Sequence, residues 1–137
     1  MDKEFIPYEQ ALALKELGFD EPCFGCYDEK RVFGLTVMSI KQYYINSKED
    51  TWNCSAPTYS QAFRWFREKY VLLGFIEPAN GYEDKSLFAF YICDDEQNIV
   101  DDSHSYSKDS SLHFNTYEEA EQACLDKLIE IVKGGNK

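Results

Sequence analysis

Cys23 and Cys26, in the stretch CFGC, have the C-x-x-C spacing that serves either a metal knuckle or a redox couple. A structural zinc ion needs four ligands, so two more must come from elsewhere. Cys54, Cys93, His104 and His113 are the available donors, and none of them forms a second close pair. A redox couple needs a thiolate favoured by a helix N-terminus. Here the pair follows a helical pattern and runs into a strand pattern, with Gly25 placed for a turn. The expectation is five reduced, semi-buried thiols, with no metal and no cofactor.

Acid–base chemistry has few candidates. His104 and His113 flank a polar loop, and neither belongs to an H-E-x-x-H helix. The run CDDEQNIVDD, residues 93–102, gathers five acids but lacks the glycine and closing glutamate of an EF-hand loop. Gln97 and Asn98 at its centre point to a solvated hairpin turn. Nucleophile-elbow, P-loop and dinucleotide patterns are missing. No residue can be given a catalytic role, and the expectation is a protein that is not an enzyme.

The stretch SAPTYSQAFRWFREKY, residues 55–70, is the densest in aromatic and basic side chains. Tyr59, Ala62, Phe63, Phe66 and Tyr70 fall on one face at helical spacing and read as core. Arg64 and Arg67 fall away from that stripe, and Trp65 lies between the stripe and the polar face. Trp52 precedes the helix in TWNCSAP. An indole outside the core can stack on a planar ligand while guanidinium groups pair with phosphate or carboxylate. Trp52, Arg64, Trp65 and Arg67 are therefore the candidate contact residues. The competing reading has Trp65 capping the core and the arginines neutralising local acids such as Glu68.

Charge and composition narrow the partner. The chain has 14 basic and 25 acidic residues, a net charge of −11. That repels extended nucleic acid and anionic membranes, and suits docking on a basic surface. No apolar run approaches the length of a bilayer span. The start, MDKEFIPYEQ, lacks the apolar core of an export signal, which leads to the expectation of a cytoplasmic protein. At 137 residues, 44% of them apolar, the chain is long enough to bury a core without disulfides or metal.

The elements that must position these residues follow from periodicity. Three helices are predicted: one after Pro7 and closed by Gly18, one from about Thr58 to Tyr70, and one opened by TYEE. In the third, Thr116 and Glu119 have capping-box spacing, and Tyr117, Ala120, Cys124, Leu128 and Ile131 form a stripe. Between them lie the strand-like runs RVFGLTVMSI, QYYI, VLLGFIE, SLFAFYI, NIV and SLHF. PANGYEDK reads as a turn and DDSHSYSKDSS as a polar loop. The order implies a single α+β domain over residues 1–137, three helices on a mostly antiparallel sheet, with residues 134–137 as a frayed tail.

The segments IPYEQALALKELGFDEPCFGCYDE, KEDTWNCSAPTYSQAFRWFREKY and TYEEAEQACLDKLIEIV, about half the chain, resemble small accessory proteins encoded by phages and prophages of gut bacteria of the Bacteroides kind. The resemblance implies a phage origin and action in a bacterial host cytosol. It carries no catalytic residues. Three readings follow: a binding protein that sequesters or inhibits a host protein, a sponge for a small anionic nucleotide signal through the Trp and Arg contacts, and an enzyme with an unrecognised site. The sequence does not fix the oligomeric state.

Overall fold

Pro7, held at φ −68° and ψ 164°, delivers an extended backbone to helix α1, Tyr8–Glu16, at a position where a missing N–H costs nothing. Gly18 ends it with a φ of 95°, a left-handed conformation that costs a glycine little. The two closing bonds are both made: Phe19 N–H donates to Leu14 O at 2.9 Å and Gly18 N–H to Lys15 O at 3.0 Å. The computed structural model describes residues 2–35, 43–47, 52–80, 86–103 and 113–135. The chain divides into two compact units, Met1–Ala62 and Phe63–Lys137.

In the first unit a short 3-10 turn, Asp2–Glu4, precedes α1, which buries Gln10, Ala11 and Leu14. Three short strands follow: β1, Gly25–Tyr27; β2, Phe33–Leu35; and β3, Cys54–Ala56. They pair antiparallel in the order β2-β1-β3. The expected turn at Gly25 is corrected here. Gly25 lies in β1, where a Cβ would stand 2.7 Å from a Phe33 ring carbon and 3.1 Å from Ala56 O, so glycine lets the strands and rings close up. Asn46 joins distant parts of the unit. Its Nδ2 donates to Phe19 O at 2.8 Å, and its Oδ1 accepts from Ser55 N–H at 2.8 Å.

Helix α2, Tyr59–Tyr70, starts under a cap in which Gln61 N–H donates to Thr58 Oγ1 at 3.2 Å. The second unit then builds its own sheet from β4, Leu73–Asn80; β5, Ser86–Cys93; and β6, Ile99–Asp102, in the order β4-β5-β6. β4 runs on through Pro78, which the sequence reading had assigned to a turn; an edge strand tolerates a residue without an N–H. Helix α3, Tyr117–Lys133, packs on β4 and β5 and buries Ala120, Cys124, Leu125, Leu128, Ile129 and Ile131. Tyr117, expected in its stripe, is exposed.

The capping box of α3 is shifted by one residue. Thr116 Oγ1 accepts from Glu119 N–H at 3.1 Å as expected, but Glu119 Oε2 accepts from Asn115 N–H at 3.3 Å. Gly134 and Gly135 are part of the helix stop, with N–H groups donating to Glu130 O and Val132 O. Positions 136 and 137 of the expected tail lie outside the described residues. So do residues 36–40, 42 and 111–112 of the expected strands, 81–85 of the expected turn, and 104–110 of the expected polar loop. The α+β class, the three helices and the antiparallel pairing are as the sequence implied; the described strands form two three-stranded sheets.

Candidate functional site

Helix α2 carries three of the four candidate contact residues, and it separates them. Arg64 and Arg67 are exposed. Trp65 is only 6% exposed. Its ring meets Phe66 edge-on at 5.1 Å and Tyr70 at 5.4 Å, and Lys69 Nζ stands 5.0 Å from its centroid. An indole enclosed in this way has no face left for a ligand. The stripe is therefore turned toward Trp65: Ala62, Trp65 and Phe66 are buried, while Phe63 and Tyr70 are half-buried. Trp52 belongs to the first unit, just ahead of β3, with its ring edge-on to Tyr44 at 4.8 Å.

The thiols are a second group that the sequence singled out. All five are unpaired and buried. Burial pushes the Cys23 thiol up to about 12 and Cys54 up to about 11, and it raises Cys124 further still. Loss of water around the sulfur disfavours the thiolate, the form that attacks disulfides or binds metal. Cys23 Sγ instead donates to Glu21 O at 3.4 Å. Among the described residues no three His, Cys, Asp or Glu side chains converge as a metal would require.

A third feature was legible only in part. The acidic run does form a hairpin turn between β5 and β6, closed by Asp94 N–H donating to Asn98 O at 3.0 Å, with Gln97 at φ 66°. Asp94 Oδ1 accepts from the Glu96 and Asn98 N–H groups at 3.0 and 2.9 Å. These bonds, that from Asn98 foremost, hold the Asp94 carboxyl below its ordinary range. Just beyond the turn, Ile99 is 62% exposed and Val100 43%. Asp101 follows, 3.7 Å from Lys127 Nζ of α3, and then Asp102. Two adjacent branched aliphatic side chains thus stand in solvent between Asp94, Asp95 and Glu96 on one side and Asp101 and Asp102 on the other.

A solvent-facing aliphatic side chain gains nothing from its position in the monomer, and an apolar pair in a polar rim is the pattern of a protein contact. In the sequence these residues belong to a short strand-like run, NIV, and to a solvated turn, and so short a run has no periodicity that tells which sides are covered. No protein-family model, curated protein or solved structure matches the chain.

Proposed function

We propose that this chain is a binding protein without catalysis, which docks on a basic, partly apolar protein surface and so sequesters or inhibits a component of a bacterial host cell. The exposure of Ile99 and Val100, with acidic residues on both sides of them along the chain, carries this reading. Burying that pair against a partner returns roughly 25 cal/mol for each Å² of apolar surface removed from water. The surrounding carboxylates add orientation and on-rate toward a cationic partner. The net charge of −11 acts in the same direction at longer range. The phage origin comes into the proposal from the resemblance alone, and the cytosolic setting from the resemblance and the sequence expectation.

The nucleotide-sponge reading rested on indole stacking. With Trp65 enclosed by Phe66, Tyr70 and Lys69, that reading retains the exposed arginines and Trp52, whose half-buried ring meets Tyr44 edge-on. A protein partner is the better-supported target.

The test is capture from host lysate over a salt series, using two double variants. Wild type is expected to retain a basic protein whose capture falls as the Debye length shrinks from about 10 Å at 0.1 M salt toward 3 Å at 1 M. Ile99→Ser with Val100→Ser should weaken capture at least about tenfold, equivalent to 1.4 kcal/mol. Arg64→Ala with Arg67→Ala should leave it intact. The reverse pattern would move the contact to α2 and overturn this reading.

A further inference from the structure

Among the described residues the hairpin patch lies on an outer strand of its sheet, and this sets the kind of occupant it can take. β6 has β5 as its only strand neighbour among the described residues. Its pairing is tied down at both ends: Asp94 N–H donates to Asn98 O at 3.0 Å, and Ser103 N–H donates to Phe90 O at 2.9 Å. Between these points the register slips by one residue opposite Ile92 and Cys93. The other side of an edge strand carries backbone groups suited to a further strand.

A bulge and a row of charges are the usual defences of such an edge against pairing with its own kind. Here the charges on the hairpin and its strand all have one sign, and Asp101 among them stands beside a cation, Lys127 of α3. A second copy of this chain would bring its own five carboxylates, Asp94, Asp95, Glu96, Asp101 and Asp102, up to the same edge, and that accumulation of like charge opposes self-pairing. A cationic strand would meet the opposite situation. Its basic side chains would lie beside the carboxylates, and its apolar ones would cover Ile99 and Val100.

We infer that β6 is a docking edge for an extended segment of a partner protein, one that alternates Lys or Arg with apolar residues and adds to the sheet as a fourth strand. The inference rests on the protein-binding reading above and specifies its mode. Backbone pairing supplies affinity in such a complex, and the alternating side chains supply selectivity. Because the edge is four residues long, binding of a short isolated segment is weak.

The probe is an acetylated, amidated heptapeptide alternating lysine with valine. Its control is the same peptide with N-methyl groups on alternate residues, which keeps charge and side chains but removes the donors along one edge. Titration of the full chain by calorimetry, with amide exchange read at residues 99–102, is expected to show binding of the first peptide. Protection should appear on β6, and affinity should fall at least about tenfold with the methylated control or with Ile99→Lys. Arg64→Ala should change neither. Equal affinity for both peptides would mean a contact through charge alone; strand addition then falls while the protein-binding reading stands. Failure of both peptides, with lysate capture still sensitive to Ile99→Ser and Val100→Ser, also sinks strand addition alone. Insensitivity of capture to those variants sinks both. The peptide comparison uses one unaltered protein, so it does not depend on any variant folding.

Discussion

Gly74 of β4 and Cys124 of α3 meet so closely that a Cβ on Gly74 would stand 2.9 Å from the Cys124 sulfur. Phe63 presses on the same point, with its Cε1 2.7 Å away. Glycine here serves a close approach of strand, helix and ring, and needs no unusual backbone angle. Gly74→Ala should therefore destabilise the protein by about 1–3 kcal/mol, the usual range for an overpacked core. Cys124→Ala in the same chain should restore part of that loss by removing the sulfur. Urea midpoints of the two single variants and the double variant measure it; strict additivity would mean that the methyl group finds room elsewhere.

Asn46 offers a comparable test in the first unit. It donates to Phe19 O and accepts from Ser55 N–H, so one side chain satisfies two backbone groups. Asn46→Asp keeps the acceptor and loses the donor, and it sets a carboxylate oxygen against a carbonyl. The expected cost is about 1–3 kcal/mol at neutral pH, shrinking as acid protonates the new carboxyl. Thermal melts of the variant at neutral pH and near pH 4 check the sign. A cost independent of pH would remove the donor from the explanation.

The residues that proved legible were those whose chemistry is local. Gly18 closes α1 because a left-handed stop is written in one residue, and the expected turn between β5 and β6 follows from Asp94, Gln97 and Asn98. β1 and β3 escaped notice because three residues each are shorter than any useful period, and GCY and CSA lack the β-branched side chains that mark strands. Trp65 is buried, as the core-capping alternative has it, while Phe63, expected in the core, is only half-buried. A wheel weights Phe63 and Trp65 by angle alone, whereas packing also weighs volume, and the larger indole took the buried position. Exposure of Ile99 and Val100 is a property of the sheet order, which depends on contacts far along the chain.

Buried thiols give a prediction in pH. The folded-state values of Cys23, Cys54 and Cys124 lie above the ordinary range near 8.5, so folding favours the protonated form. Their contribution is complete below the unfolded value and is lost as pH rises through the folded ones. Stability should fall above about pH 8.5, each such thiol adding a slope of about 1.4 kcal/mol per pH unit once the unfolded chain ionises. Cys23→Ala should flatten that slope. Denaturant midpoints between pH 7 and pH 10 test it, and parallel curves for wild type and variant would show that Cys23 is not linked to folding.

Val71 follows directly on α2 at a φ of 56°, in the left-handed region. A β-branched side chain is an outlier there, because its Cβ crowds the following carbonyl by roughly 1–2 kcal/mol. Its side chain is exposed, so little packing offsets the strain. Gly permits the same angle at no steric cost but is freer in the unfolded chain, which returns part of the gain. Val71→Gly is expected to stabilise the second unit by about 0.5–1 kcal/mol, and Val71→Pro, which cannot reach a positive φ, to destabilise it by more. Amide exchange across α2 and β4 provides the local readout: protection should rise at Leu72 and Leu73 in the glycine variant. Loss of protection there would mean that the branched side chain is held by contacts worth more than the strain it imposes.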